Sequence, residues 1–388
     1  MSKDPIYLDY HATTPVDSRV VTAMQPFWGE QFGNPASRSH RYGLEAAAAV
    51  QVARETLATA IAAQPEDLVF CSGATEANNL AIKGVAEAQH RKGRHLITVA
   101  TEHQAVLAPC RYLESLGFQL TVLPVNSQGL ISVEQVAAAL RPDTILVSIM
   151  AANNEIGVLQ PIAAIGALCR DRGVVFHCDA AQALGRIPLS VSDLNVDLLS
   201  VSGHKVYGPK GIGLLYRRSG VAIAPQMHGG SQEQGFRAGT LAPALIIGFA
   251  TAAELAVAEQ SAEAIRLRTL RDRLWQGLQA IGGLHLNGDP QQRLPSNLNF
   301  SIEGIDPSRL IQRIRGAIAV SSGSACSSGN AEPSHVLTAI GRSPTLARAS
   351  LRIGLGRFTT TEEIDRTLEI LITAIQSERS RLTRHKKG

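Results

Sequence analysis

Lys205 stands in Ser200-Val-Ser-Gly-His-Lys-Val-Tyr-Gly-Pro-Lys-Gly211, where an apolar run gives way to small and hydroxylated residues and then to a Gly/Pro-rich loop. A lysine at a strand's end in such a setting suits a Schiff-base lysine. Its amine must be deprotonated, held at a fixed distance from an aldehyde and shielded from water. Ser202 and His204 beside it can donate to a phosphate. A turn carrying a surface lysine would read the same way, so the neighbouring motifs must decide. The Gly211-Ile-Gly213 pair is weak evidence for a dinucleotide site, because it leads into a strand and not a helix.

Four further strings supply parts that such a lysine needs. Val174-Val-Phe-His-Cys-Asp-Ala-Ala-Gln182 is a buried strand ending in Asp179. A carboxylate there is costly unless paired. A protonated pyridine nitrogen is one partner, and the pair keeps the ring an electron sink; a cap on the next helix is the other reading. Gln182, three residues on, can bond the ring oxygen. Cys71-Ser-Gly-Ala-Thr-Glu-Ala-Asn-Asn79 follows a strand and opens a helix. Gly73, Ala74 and Thr75 would present N–H groups and a hydroxyl at a helix N-terminus, which is an anion site by geometry and dipole, or a simple cap. In Thr101-Glu-His-Gln-Ala105, His103 can stack on a ring and act as acid or base near neutral pH, or sit as a core or cap residue. Asn154, in Asn153-Asn-Glu-Ile-Gly157, is placed to bond a ring hydroxyl.

The elements that must position these residues are legible as apolar runs. Candidate strands are Asp67–Cys71, His95–Thr98, Gln119–Leu123, Thr144–Ile149, Val174–His177, Leu198–Ser202 and Ile212–Tyr216. Between them lie Ala- and Leu-rich amphipathic stretches: Tyr42–Ala62, Glu76–Arg91, Ala105–Ser115, Val133–Leu140 and Ile162–Arg172. Several strands, Thr144-Ile-Leu-Val-Ser-Ile149 among them, are apolar on both faces, as a sheet covered by helices on both sides requires. The alternation predicts an α/β fold with a mostly parallel, seven-stranded sheet. Ligands in open α/β sheets sit at the ends of such strands. The order anion loop, histidine, asparagine, aspartate, lysine along successive strand ends points to a pyridoxal 5'-phosphate site. A long helical pattern, Ala242–Ala280, closes this region, and Pro295–Phe300 restarts a strand within a smaller α+β domain. Residues 1–14 are too short to fold alone and should join that domain or the rim of the site. The expected division is a large domain over 15–257 and a small one built from 1–14 and 258–388.

With 388 residues, 45% hydrophobic and 18% charged, the chain has the makings of a globular protein with a large core. A net charge of +4 with both signs mixed argues against a nucleic-acid surface. The basic run Arg379 to Lys387 reads as a solvated tail or a partner-docking arm. No apolar run approaches the ~20 residues of a membrane span, and the start lacks a signal or transit pattern. Five scattered cysteines (Cys71, Cys110, Cys169, Cys178, Cys326) without a CxxC pair suggest neither a zinc site nor a disulfide framework, and fit a reducing cytoplasm. Four of them fall in apolar patterns or read as structural. Cys326 alone lies in a polar run, Ser321-Ser-Gly-Ser-Ala-Cys-Ser-Ser-Gly329, whose composition favours mobility.

Tyr7-Leu-Asp-Tyr10, Phe32-Gly-Asn-Pro-Ala-Ser37, Ser72-Gly-Ala-Thr-Glu76, Thr101-Glu-His103, Asn153-Asn-Glu-Ile-Gly157, Ser202-Gly-His-Lys205, Arg237-Ala-Gly-Thr240 and Ser321-Ser-Gly-Ser-Ala-Cys326 together resemble the cysteine desulfurases of the NifS/IscS type. The resemblance covers nearly the whole chain. It implies a fold-type-I pyridoxal-phosphate homodimer that takes sulfur from L-cysteine and releases L-alanine. It implies that Lys205 binds the cofactor and moves the substrate's Cα proton, that Asp179 pairs with the ring nitrogen and that His103 stacks on the ring. Ala74, Thr75, Ser202 and His204 would hold the phosphate, helped by Thr240 from the second subunit. Asn154 and Gln182 would bond the 3-oxygen side, and Arg352 would clamp the substrate carboxylate. Cys326, on a loop of about 321–333, would be the nucleophile that keeps the sulfur as a persulfide, with His103 the candidate to help ionise it.

The same resemblance implies a sulfur-acceptor protein such as an iron–sulfur scaffold, on which Cys326 would be able to ligate a cluster transiently, and it implies no resident metal, nucleic acid or membrane. Relatives that serve the general scaffold continue past the last helix into a docking tail. Here the sequence closes on Arg384-His-Lys-Lys-Gly388, which leaves the acceptor open. Cys178 stands where relatives often have an apolar residue and is given no role. Rival readings are a selenocysteine lyase or another fold-type-I enzyme, which would need Lys205 and not Cys326, and a non-enzymatic sulfur relay that kept the fold.

Overall fold

Seven of the apolar runs hydrogen-bond into one sheet. The computed structural model describes residues 5–322 and 332–385, with side chains as far as Arg381. The strands in chain order are β1 (Ile6–Tyr7), β2 (Leu68–Cys71), β3 (His95–Val99), β4 (Gln119–Leu123), β5 (Thr144–Ser148), β6 (Val175–Asp179), β7 (Leu198–Ser202) and β8 (Gly213–Arg217). Strands β2 to β8 form the main sheet in the order β2-β8-β7-β6-β5-β3-β4. The pairs from β7 to β4 are parallel, and β8 is antiparallel to both of its neighbours. The expected α/β architecture with a mostly parallel sheet is therefore the observed one. Strand limits shift by one or two residues from the apolar runs, because pairing follows the ladder and not hydropathy alone.

Strands β2, β3, β5, β6 and β7 are buried along their whole length, while β4, at the edge, is mostly not. Alternate side chains enter two cores. Phe70, Val147, Phe176, Leu199 and Leu214 pack with helix Arg41–Ala60 and the first part of helix Pro243–Gln279. Val69, Leu96, Leu146, Leu198 and Leu215 pack on the other face with helices Ala74–Gln89 and Gln104–Ser115. Helix Pro243–Gln279 is long and apolar enough to cross a membrane. Here its Ile246, Phe249, Ala252, Ala253 and Ala256 are buried under the sheet, and its distal Leu267, Leu270, Leu274 and Leu278 enter another core.

That other core belongs to the last third of the chain. Strands β9 (Leu284–Leu286), β10 (Asn297–Ile302), β11 (Ile318–Ala319), β12 (Ser321–Ser322) and β13 (Ser350–Gly354) follow the long helix. They form a sheet in the order β12-β13-β10-β9, with β11 paired instead to β1 in parallel. Phe300, Leu351 and Ile353 pack there against Leu371 and Ile375 of the closing helix Thr361–His385, with Ile6 and Leu8 from the N-terminus. The N-terminal segment adds a strand to this region, and it then runs on to the tips of the main sheet.

Gly213, the first residue of β8, is where the sheet meets the loop after β2. A Cβ built on it would lie 2.6 Å from the Val201 carbonyl oxygen and 2.7 Å from Gly73 Cα, backbone on both sides. Gly213→Ala should therefore cost about 1–3 kcal/mol of stability, as overpacking does. It should also displace the Gly73 loop. A urea melt with an unchanged midpoint would contradict this contact.

Candidate active site

The tips of β2, β3, β5, β6 and β7 surround one cavity of about 510 Å³. Ala74, Thr75, His103, Asn154, Asp179, Gln182, Ser202, His204 and Lys205 all line it. These nine are brought together from stretches more than a hundred residues apart because parallel crossovers return every strand's end to the same edge. Thr240, expected to serve a second subunit, does not line this cavity. It is exposed and borders a smaller recess with Ser72 and Arg237. Arg352 sits at the margin on β13, and Cys326 lies outside the described residues.

Lys205 ends the short turn Gly203–Lys205 after β7. Its Nζ donates to the backbone carbonyls of His11 at 2.6 Å and Ala12 at 2.7 Å. Burial, reinforced by the Arg186 and Arg352 guanidinium groups, pulls its amine down to about 7. Near neutral pH a large share of it is the free base that attacks an aldehyde. Beside it, His204 Nδ1 meets Thr13 Oγ1 at 3.0 Å, and burial lowers the ring to about 4, so it is a neutral hydrogen-bonding group.

At one end of the cavity, helix Ala74–Gln89 begins without any side-chain cap. Its free N–H groups and the Thr75 and Ser202 hydroxyls form a cradle for an anion. At the other end, Asp179 Oδ2 accepts from Asn78 Nδ2 at 2.7 Å and Oδ1 from the Ala181 N–H at 2.9 Å. Neither partner is a cation, so a cationic ring N–H is the complement still wanting. His103 caps helix Gln104–Ser115, its Nδ1 accepting from the Ala105 N–H at 3.1 Å. That bond leaves Nδ1 without a proton, and burial lowers the ring's basicity further. An uncapped helix start, a depressed lysine and a carboxylate lacking a cation, arranged around one cavity, fit pyridoxal phosphate.

Arg352 Nη1 donates to the Asn154 carbonyl at 3.0 Å, and Nη2 donates to Asp9 Oδ1 and Ser321 Oγ at 2.8 Å each. Its Nε has no partner among the described residues. The guanidinium therefore bridges the strand tips and the last-third sheet, with a donor to spare for a carboxylate.

Sequence reading missed several participants. Asn78 supports Asp179, and its one available signal was its place one helical turn after Thr75. His11, Ala12 and Arg186 are invisible to motif logic because they touch the site through backbone carbonyls or through Gln182. Glu102 is fully buried, accepts from the Met150 N–H at 2.7 Å, and its carboxyl is pushed well up by desolvation. Nothing in Thr101-Glu-His103 distinguishes it from a surface glutamate.

The family model of class-V aminotransferases matches residues 6–367 of the chain. The chain is similar to the cysteine desulfurase IscS of Pectobacterium carotovorum subsp. carotovorum (strain PC1), at 53% identity over 377 residues, 96% of this chain and 93% of that protein. A solved NifS-like protein superposes with a TM-score of 0.90 at 38% identity, covering 96% of this chain and 99% of that one. The structure of SspA in complex with cysteine superposes with a TM-score of 0.79 at 38% identity, covering 92% and 100%.

Cys71, Cys110, Cys169 and Cys178 are free and buried, and desolvation raises every one of these thiols, Cys110 and Cys169 to about 12. They should be inert. Folded protein treated with Ellman's reagent should show a single fast-reacting thiol, and Cys326→Ala should show none. A fast thiol surviving in that variant would mean that one of the four is accessible after all.

Proposed function

The chain belongs to the class-V aminotransferase family, and we propose that the site described above carries out its cysteine desulfurase activity with Lys205 as the cofactor lysine and Cys326 as the sulfur acceptor. The observation that carries this reading is the Lys205 amine, lowered to about 7 and aimed into a cavity with an anion cradle at one end and Asp179 at the other. Bound there, pyridoxal phosphate supplies an aldehyde that condenses with amines and a ring that withdraws electrons from the substrate's Cα.

The chain's own residues divide the remaining work. Ala74, Thr75, Ser202 and His204 bind the phosphate through the open helix start, two hydroxyls and a neutral imidazole. Asp179, steadied by Asn78, would hold the ring's N–H, while Asn154 and Gln182 would bond the 3-oxygen. His103, fixed in one tautomer by its capping bond, covers the ring face. Arg352 binds the substrate carboxylate through its spare donor. With the cofactor bound, Lys205 would accept the substrate's Cα proton and hold it close by.

The sulfur then moves to the chain. The Cys326 thiolate forms a bond to the substrate sulfur as the sulfur–Cβ bond breaks, and that bond's electron pair stays with carbon. Protons returned to Cβ and Cα give alanine. The sum is cysteine plus one thiol going to alanine plus one persulfide. The persulfide then passes to an acceptor protein with its own thiolate, iron–sulfur assembly being the use that the relatives' name suggests.

A homodimer fits the reading as well. Trp28, Phe32 and Tyr42 are large and exposed, an apolar surface of the kind a second subunit covers, and Thr240 would then reach the partner's phosphate. We place the division between the domains at 257/258, within helix Pro243–Gln279, where its buried residues change from the main core to the second one. A reducing cytoplasm is the compartment that suits free thiols.

Cys326→Ala should abolish sulfide release from cysteine, measured with excess reductant, while the purified protein stays yellow. Desulfurase turnover retained in that variant would remove Cys326 from the reaction. Lys205→Ala should lose the visible absorbance of the lysine-linked cofactor. Arg352→Lys should keep the absorbance and lower kcat/KM for cysteine about 10- to 100-fold, the worth of a charge-assisted hydrogen bond. An unchanged KM would place the substrate carboxylate elsewhere.

A further inference from the structure

Arg186 follows β6 by seven residues and is partly buried behind Lys205. All of its hydrogen-bond partners are neutral. Nη1 donates to the Gln182 side-chain oxygen and to His11 Nδ1 at 2.8 Å, and Nη2 donates to the carbonyls of Tyr10 at 3.1 Å and Lys205 itself at 3.2 Å. The nearby Glu263 carboxylate is engaged by Arg357 at 2.8 Å. A guanidinium removed from water and given no carboxylate is costly, and it exerts its field on whatever is near.

We propose that Arg186 is a positioning residue for the reactive lysine: it offsets the Asp179 carboxylate and pins the wall formed by His11 and Gln182, so that the Lys205 amine stands neutral and aimed into the cavity when the cofactor arrives. The proposal rests on Lys205 being the cofactor lysine.

The charges around the amine support it. Arg352 and Asp9 also face it, but they pair with each other at 2.8 Å. His11, His103 and His204 face it as well, and each is lowered by burial and so neutral near pH 7. Lys210 also lines the cavity; it acts on His204 and is not among the main charges acting on the Lys205 amine. What remains is Asp179, which favours an ammonium, against Arg186, which opposes it. Arg186 is the largest charged contributor to the lowered lysine, after burial itself.

The geometry adds a second part. His11 O accepts from Lys205 Nζ at 2.6 Å and from Gln182 Nε2 at 2.9 Å. Arg186 holds the ring of the same histidine and the oxygen of the same glutamine, so it fixes the acceptor on which the amine rests. Chemically, the amine's lone pair adds to the aldehyde carbon. A C=N bond forms as the aldehyde oxygen leaves as water, carrying both amine protons. Only the neutral amine can begin this.

The test uses full-length protein stripped of its cofactor and mixed rapidly with pyridoxal phosphate from about pH 6 to 9. The readout is the rate at which visible absorbance grows. Borohydride trapping and peptide mapping assign the adduct to Lys205. Wild-type capture should rise with pH to half its maximum near pH 7. Arg186→Gln and Arg186→Met, the latter keeping the aliphatic stem, should shift that midpoint upward, slowing capture at pH 7 by several-fold to about tenfold, tenfold being one pH unit. Arg186→Lys, which keeps the charge, should stay near wild type. Circular dichroism and thermal melting identify the folded variants, and either charge-deleting variant suffices. A midpoint unmoved in a folded charge-deleting variant, or moved as far in Arg186→Lys, overturns the proposal. Trapping at a lysine other than 205 in wild type would instead overturn the underlying assignment, and the proposal with it.

Discussion

An amine buried without a carboxylate partner is the constraint around which this molecule is organised. Lys205 Nζ rests on two backbone carbonyls, those of His11 and Ala12. Carbonyls satisfy its N–H groups without adding a negative charge that would hold it as an ammonium. Those carbonyls come from a segment whose preceding residues, Ile6 and Leu8, lie in the other core. Lys205 is thereby tied to a part of the chain that the main sheet does not own. The same segment reaches the main sheet's tips again at Thr14, whose Oγ1 donates to the His204 carbonyl at 3.0 Å.

The junction between the two cores is correspondingly polar and charged. Arg357 pairs with Asp17 and with Glu263 at 2.8 Å each, and its guanidinium lies 4.3 Å from the centre of the Tyr207 ring. Gly354 and Gly356 allow the N-terminal segment to approach, since a Cβ at either would strike the backbone of His11 or the ring of Tyr10. Oriented ion pairs of this kind fix register more than they add net stability. Fixing register is the service the site requires, because Arg352 and Asn154 come from opposite sides of that junction and meet at 3.0 Å.

What sequence reading reached and what it did not follow from the same physics. Fully buried strands such as Thr144–Ser148 and Leu198–Ser202 announce themselves, since both faces are buried and carry mainly apolar residues with a few small hydroxyls, and their ends mark where larger polar side chains resume. The strand-tip residues Lys205, Asp179 and His103 were legible for that reason. Helix Pro243–Gln279 was read as one long pattern with a domain boundary drawn inside it at 257/258, but which of its residues enter which core was not legible, because periodicity records that a face is buried and not against what. His11, Arg186 and Glu102 escaped because their partners are carbonyl oxygens, backbone N–H groups or other side chains far off in sequence, and no local spacing encodes those.

Two residues show why motif reading gave paired alternatives at this site. His103 and Asp179 each admitted a catalytic role and a capping role; His103 does cap helix Gln104–Ser115, whereas Asp179 is followed by a turn and not a helix, and its Oδ1 accepts from the Ala181 N–H of that turn. The two roles are not rivals. Such a bond consumes one lone pair: Nδ1 of His103, Oδ1 of Asp179. It leaves the ring face of the first uncommitted, and on the other it leaves Oδ2, which accepts from Asn78 Nδ2 and keeps a further lone pair. By spending one atom on the adjoining helix or turn, each side chain loses rotational freedom before any ligand is present, which is the condition for a contact to cost little entropy when it forms. A helix or turn that starts at a strand tip therefore does more than close the crossover. It converts an otherwise mobile side chain into a fixed wall of the cavity, and so the same short strings carry the signals of both roles.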